Sequence, residues 1–161
     1  MASKNQTKVT AEPGKQELHI TREFDAPREL VFKAYTDPDL VIQWLGPKDL
    51  AMRIEKYDCR TGGSYRYIHS DKNGNDYAFN GAVHEVTAPE RVIQTFEFEG
   101  LPERGHVSLD SAFFEALPDN RTKVTIHSVF RSVADRDGLV QSGMEKGLSE
   151  GFSRLDDLLA K

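Results

Sequence analysis

The sequence has little of what usually announces chemistry or a compartment. Cysteine occurs once, at Cys59, so the 161-residue chain forms no intrachain disulfide. A lone cysteine late in a strand-like segment reads as a small apolar residue. A reactive thiolate would need a histidine or a helix terminus beside it. No run approaches the ~18 apolar residues of a membrane span, so no membrane insertion is expected. The start, Met-Ala-Ser-Lys-Asn-Gln-Thr-Lys, has no apolar core and hence no secretory signal; the cytoplasm is the expected location. Basic residues form no run of five, and the net charge is -5. Nucleic acid and anionic membrane surfaces call for a positive footprint, so nucleic acid is not an expected partner.

Catalytic and cofactor motifs are equally scarce. The histidines, His19, His69, His84, His106 and His127, show no metal-ligand spacing and no His-Glu-x-x-His run. No metal is expected. Neither a Gly-x-Gly-x-x-Gly, a P-loop nor a Gly-x-Ser-x-Gly elbow occurs, so no cofactor is expected. Gly62-Gly63 reads as a turn, and Ser142-Gly143 lies near a helix start, without the elbow's context.

What the chain does have is an ordered change of period. Residues 1–16 are polar and aperiodic and are broken by Pro13-Gly14. They read as a flexible tail, leaving 17–161 as one domain, the count this length suits. From Leu18 a strand alternates, with Leu18, Ile20, Arg22 and Phe24 on one face. Asp25-Ala26-Pro27 then starts a helix carrying Leu30, Val31, Ala34 and Tyr35. Asp37-Pro38 repeats the signal before Leu40, Val41, Trp44 and Leu45, and Gly46-Pro47 ends it. Segments 50–60, 64–70, 77–87, 91–99, 106–117 and 123–132 read as strands divided by turn clusters, Asp71-Lys72-Asn73-Gly74-Asn75 the clearest. Short sequential connections favour an antiparallel meander.

The last segment, 134–160, returns to helical period, with Met144, Leu148, Phe152, Leu155 and Leu159 on one face. Beside them run Gly143, Gly147 and Gly151. Each interior glycine costs a helix about 1 kcal/mol against alanine. Either another backbone approaches there or the missing side chains leave open volume. The charges Glu145, Lys146, Glu150, Arg154, Asp156 and Asp157 exclude a membrane dimer face. A curved sheet must cover its apolar face, and only this helix is long enough. The expected fold is therefore α+β, of the helix-grip (START-like) type. About seven antiparallel strands curve around a long C-terminal helix, with two short helices after the first strand.

Four stretches in order resemble one family. They are Ile20-Thr-Arg-Glu-Phe-Asp-Ala-Pro-Arg-Glu-Leu-Val-Phe32 with Trp44 and Gly46-Pro47; Arg60-Thr-Gly-Gly-Ser-Tyr65; Gly81-Ala-Val-His-Glu-Val86 with Pro89-Glu-Arg-Val-Ile-Gln-Thr-Phe96; and the closing helix from Ser142 to Leu159. Over about residues 18–160 the chain is similar to the proteins named after the activator of the heat-shock-protein-90 ATPase, in the SRPBCC (START and birch-pollen-allergen-like) superfamily. The resemblance implies the same helix-grip fold. Members include chaperone coactivator domains, carriers of hydrophobic ligands and polyketide cyclase-like enzymes. The full chaperone activator has a further N-terminal domain where this chain has a tail, which makes a chaperone the weaker of the expected partners.

Candidate site residues come from the aromatics of several strands and the last helix, and from polar groups that share a strand face. Tyr67, Phe79, Phe96, Phe98, Phe113 and Phe152 are core rings that also qualify as the lining of an apolar pocket. Met144 and Gly147 border it from the helix, and the family geometry would put Trp44 at its mouth. If Leu109 and Phe113 face inward, Ser111 and Glu115 do so too. Ser128 shares the inner face with Val124, Ile126 and Phe130. A buried Glu115 would have its pKa raised by desolvation, as a general acid needs. The leading expectation is a binder of an apolar small molecule. A cofactor-free cyclase- or hydrolase-type enzyme and a chaperone-associated interaction module are the alternatives.

Overall fold

The computed structural model describes residues 5–161. Its strands are β1 (Lys8–Thr10), β2 (Glu17–Phe24), β3 (Ala51–Tyr57), β4 (Ser64–Ser70), β5 (Asp76–Thr87), β6 (Arg91–Phe98), β7 (Ser108–Leu117) and β8 (Arg121–Val129). The helices are α1 (Arg28–Thr36), α2 (Pro38–Val41), α3 (Val133–Gln141) and α4 (Met144–Leu159). One antiparallel sheet of eight strands runs in the order β1-β2-β8-β7-β6-β5-β4-β3. From β3 to β8 it is the expected meander, while β2 closes onto the last strand. β-bulges between Ile54 and Lys56 and between Val83 and Glu85 bend the strands and raise the local twist.

The expected first strand, six-strand meander, two short helices and C-terminal helix are all present. Two details differ. Lys8–Thr10 is not a loose tail: it pairs with β2, Val9 opposite Ile20, and Val9 and Ala11 pack on the core. Three residues are too few to show a period, and their order comes from the unpaired edge that β2 offers. Residues 1–4, the rest of that expected tail, lie outside the described residues. The C-terminal helix is also in two pieces. Gly143 takes φ +87° between them and is the N-cap of α4, a conformation that disfavours side chains.

Register assigns the faces. Directly paired residues share a side, so Leu18, Ile20, Arg22 and Phe24 of β2 lie with Ser128, Ile126, Val124 and Thr122 of β8. Those lie with Asp110, Ala112, Phe114 and Ala116 of β7. This concave side holds the core: Leu18, Phe24, Phe114 and Val124 are at most 2% exposed. The α1 helix plugs one end with Val31, Phe32 and Ala34. Asp37 caps α2 by accepting from the Asp39 amide at 2.9 Å, and Pro38 occupies the first turn. The short helix thereby delivers Trp44 into the core, where Nε1 donates to the Ala34 carbonyl at 2.9 Å.

Helix α4 is held over the sheet by one ion pair among rings. Arg22, 5% exposed, donates to both Asp156 carboxylate oxygens, at 2.9 and 2.6 Å. Its guanidinium carbon sits 4.8 Å from the Phe24 ring centre and 6.0 Å from that of Phe152. Phe24 and Phe152 meet edge to face at 5.4 Å. The glycine stripe faces elsewhere. A Cβ on Gly151 would stand 3.1 Å from the Trp44 carbonyl oxygen and 3.2 Å from the Gly46 nitrogen. A Cβ on Gly147 would stand 3.1 Å from Pro47 Cγ. Close approach to the segment after α2 explains Gly147 and Gly151, whereas a Cβ on Gly143 would meet nothing within 4 Å and only its positive φ calls for glycine.

Two outcomes follow. Asp156→Ala strands a buried guanidinium; because the Asp156 side chain is 35% exposed, urea melts should show a loss toward or below the low end of the ~3–5 kcal/mol typical of broken buried pairs. An unchanged midpoint would show that Arg22 needs no partner. Gly151→Ala presses on fixed backbone and should destabilise by about 1–3 kcal/mol, as overpacking does, despite alanine's better helix propensity. Gly147→Ala meets only the rim of a proline ring and should melt higher than Gly151→Ala. The reverse order in thermal melts would contradict the packing described.

Candidate functional site

The concave face continues past the core into an aromatic wall. In β4, Tyr65, Tyr67 and His69 point inward, opposite Tyr57, Ile54 and Met52 of β3 and opposite Gly81, Phe79 and Tyr77 of β5. Phe79 pairs with Phe98 of β6, and Phe96 with Ser108 of β7. Rings are in contact along the row: Tyr67 to Phe79 at 5.3 Å, Phe79 to Phe96 at 5.4 Å and Phe79 to Phe98 at 5.2 Å. Four expected lining residues, Tyr67, Phe79, Phe96 and Phe98, are thus brought together.

Polar groups converge where the wall meets the core. Asp110 is paired with Ser128 on one side and Gln94 on the other, all on the concave face. Ser108 Oγ donates to Asp110 Oδ1 at 3.1 Å. Desolvation raises the Asp110 pKa, with hydrogen bonds from Ser128 and Ser108 pulling against it. Tyr65 donates to the Thr95 carbonyl at 2.6 Å, and Tyr57 to that of Tyr35 at 2.8 Å. Tyr67, in the same row of rings, is 7% exposed. Burial pushes its phenol pKa up, and the Asp110 charge adds to the effect. His69 is 5% exposed and its Nε2 has no hydrogen-bond partner among the described residues. Burial, and then the charge of Arg154, hold its pKa down near 4, so the ring is neutral at physiological pH.

The face is not sealed. Ala112 and Ile126 sit mid-sheet on the concave side, yet both remain only half-buried. So do Ile54, Phe79, Phe96, Gln94 and Asp110. Helix α4 sets Phe152 against Phe24 of β2 and Gly151 against the Trp44–Gly46 backbone, and the inner faces of β5 to β7 keep half-buried residues. A surface concavity of about 440 Å³ lies on the opposite face of the sheet, lined by Ala82, His84, Ile93, Thr95 and Leu109 with the Gly62-Gly63 turn.

The other expected site residues land elsewhere. Phe113 and Glu115 are exposed on the outer face, together with Leu109 and, half-buried, Ser111. The adjacent Phe113-Phe114 pair fits either register, and the structure turns Phe114 inward at 2% exposure. The inner acid is therefore Asp110, and Glu115 cannot serve the interior. Ser128 is on the inner face as expected, 5% exposed. Trp44 (2%) and Phe152 (1%) are core residues, not a mouth. Gly147 faces Pro47, and Met144 is half-buried against the core at the start of α4. Asp110, Ser108 and His69 were not singled out by sequence; one shift of strand face would have revealed the first two.

Comparison with known proteins agrees with this architecture. The sequence pattern of the family described as activator of Hsp90 ATPase homolog 1-like protein matches residues 25–160. No curated protein matches the chain in sequence. A crystal structure of a protein from Rhodobacter sphaeroides superposes with a TM-score of 0.86 at 22% identity, over 97% of this chain and 99% of that one. A solution structure from Arthrobacter aurescens gives 0.84 at 25% identity, over 95% and 91%. A Silicibacter pomeroyi structure that bears the family's name gives 0.74 at 22% identity, over 89% and 97%. With its pattern matched over most of its length, the chain belongs to the family of activator of Hsp90 ATPase homolog 1-like proteins.

Proposed function

We propose that the protein binds a small molecule with an apolar body and one polar handle, held on the concave face between the sheet and α4. The observation that carries this reading is Asp110: deep enough for desolvation to raise its pKa, yet only half-buried, at the foot of a partly covered aromatic wall. A few placed polar groups in an apolar surround are what small-molecule sites are made of. A protonated Asp110 would donate to a ligand carbonyl or hydroxyl, and Ser128, Ser108 and Tyr67 would complete the polar end. Among the described residues no helix is long and apolar enough to cross a membrane.

The same carboxyl supports a second reading. A carboxyl whose pKa lies above its ordinary range is suited to general acid–base work, so a cofactor-free cyclase- or hydrolase-type reaction at Asp110 is the alternative. The exposed apolar residues Leu109 (45%), Phe113 (41%) and Val129 (41%) of the outer face are what an interaction module would use.

Titration with Nile red, a neutral apolar probe, separates these readings. The parent should bind saturably. Ile126→Trp should fill the groove and weaken binding about tenfold or more, a change of about 1.4 kcal/mol, with the melt retained. A parent that binds no probe would end the groove reading and favour the interaction module.

The pH dependence follows from the Asp110 shift. Its folded pKa is raised above the unfolded 3.8, so across that window the folded state holds more protons than the unfolded one. Stability from this group is full below the unfolded pKa and falls as pH rises through the folded value. Asp110→Asn removes that loss. The variant should melt above the parent at pH 7, and the gap should close as pH falls toward 4. Parallel pH–melting curves would show that the carboxyl is solvated and not poised.

A further inference from the structure

Three donor groups that are scattered in the sequence meet on the outer face of the sheet. Pairing of β2 with β8 sets His19 directly opposite His127. Glu17, two residues before His19 on the same strand, shares their face. The two imidazoles stack, ring centres 4.6 Å apart and planes within 18°. Both turn Nε2 to the same carboxylate oxygen, Glu17 Oε1, at 2.8 Å from His19 and 3.0 Å from His127. We propose that Glu17, His19 and His127 form a binding site for a divalent transition-metal ion of the zinc class, on the sheet face opposite the ligand groove.

The geometry, the donor chemistry and the access all fit such an ion. The three donor atoms lie within 4.8 Å of one another. Tetrahedral zinc takes imidazole nitrogen and carboxylate oxygen at about 2.0–2.2 Å, which puts its donors roughly 3.3 Å apart. The nearly parallel rings turn out of their stack, and the Glu17 side chain rotates, to bring the three donors to that spacing around one ion. Two imidazoles with one carboxylate suit zinc, copper or nickel, whereas magnesium and calcium favour all-oxygen sites. The register of two hydrogen-bonded strands fixes where both histidine side chains start, and the partly exposed rings complete the site by turning toward the ion.

Exposure supports entry. The side chains of His19, His127 and Glu17 are 48%, 35% and 45% accessible, which leaves a fourth position open to solvent. The neighbouring cation does not compete for the carboxylate: Arg136 donates to the Glu17 backbone carbonyl at 3.0 Å and is paired with Asp137. The ion would clip β2 to β8, the pairing that joins the first long strand to the last. His106, with Asp135 and Glu103 around it, supplies only one imidazole and is the natural comparison.

The test uses the full chain without a histidine tag, titrated by calorimetry with zinc chloride and separately with magnesium chloride, beside thermal melts. One equivalent of zinc should saturate the protein and raise its melting temperature, and magnesium should do neither. His127→Gln and His19→Gln should each weaken zinc binding by about tenfold or more, the scale on which even supporting groups matter at metal sites. Both residues are partly exposed, so the metal-free melts of these variants should stay close to the parent's. His106→Gln should leave zinc binding unchanged. Absence of saturable zinc binding, equal binding by magnesium, or zinc binding that survives His127→Gln and His19→Gln together would overturn the proposal and leave the triad as a hydrogen-bonded surface cluster.

Discussion

The architecture turns on how the C-terminal helix is fixed to a sheet that would otherwise present a bare apolar face. The Arg22–Asp156 pair does this at one point, between the rings of Phe24 and Phe152. A guanidinium with both partner oxygens satisfied can lie among aromatic faces where a lone cation could not. Around it, Phe24, Phe152, Trp44 and Leu155 are each at most 2% exposed. The pair also sets the helix position in rotation. With Asp156 turned to β2, Gly151 comes against the Trp44–Gly46 backbone, which is why that position has no side chain.

Anchoring at one side creates asymmetry at the other. The helix is anchored on β2, and the inner faces of β5 to β7 keep half-buried residues. Curvature and strand order place Asp110, Ser108 and Ser128 where the closed core gives way to the aromatic wall. An acidic group can persist there because hydroxyls bond it and because the space above it is not filled. A fully closed core would expel it, since burying an unpaired carboxylate is far costlier than burying a methyl group.

Much of the fold was legible because period is a local property. Alternation in β2 already put Arg22 with Leu18, Ile20 and Phe24, an inward charge whose partner lies 134 residues away. Turn clusters marked the hairpins, and the last helix showed its apolar stripe. The errors were also local in origin. Phe113-Phe114 offered two registers of equal apolar weight, and the wrong one brings Glu115 and Ser111 inward and hides Asp110. The three residues of β1 carry no period of their own; their pairing is imposed by the edge of β2.

Sequence by itself determined the element types and their order, the inner faces of β2 and β8, and the demand for a long covering helix. Those follow from backbone geometry and burial, which repeat every two or 3.6 residues. Only tertiary structure decided what meets what. Closing β2 against β8 joined His19 to His127 and Glu17, and the register of β7 selected Asp110. Packing of α4 on the segment after α2 gave Gly147 and Gly151 their reason. Each is a contact between residues far apart in the chain, fixed by strand register and helix placement, and no local periodicity encodes it.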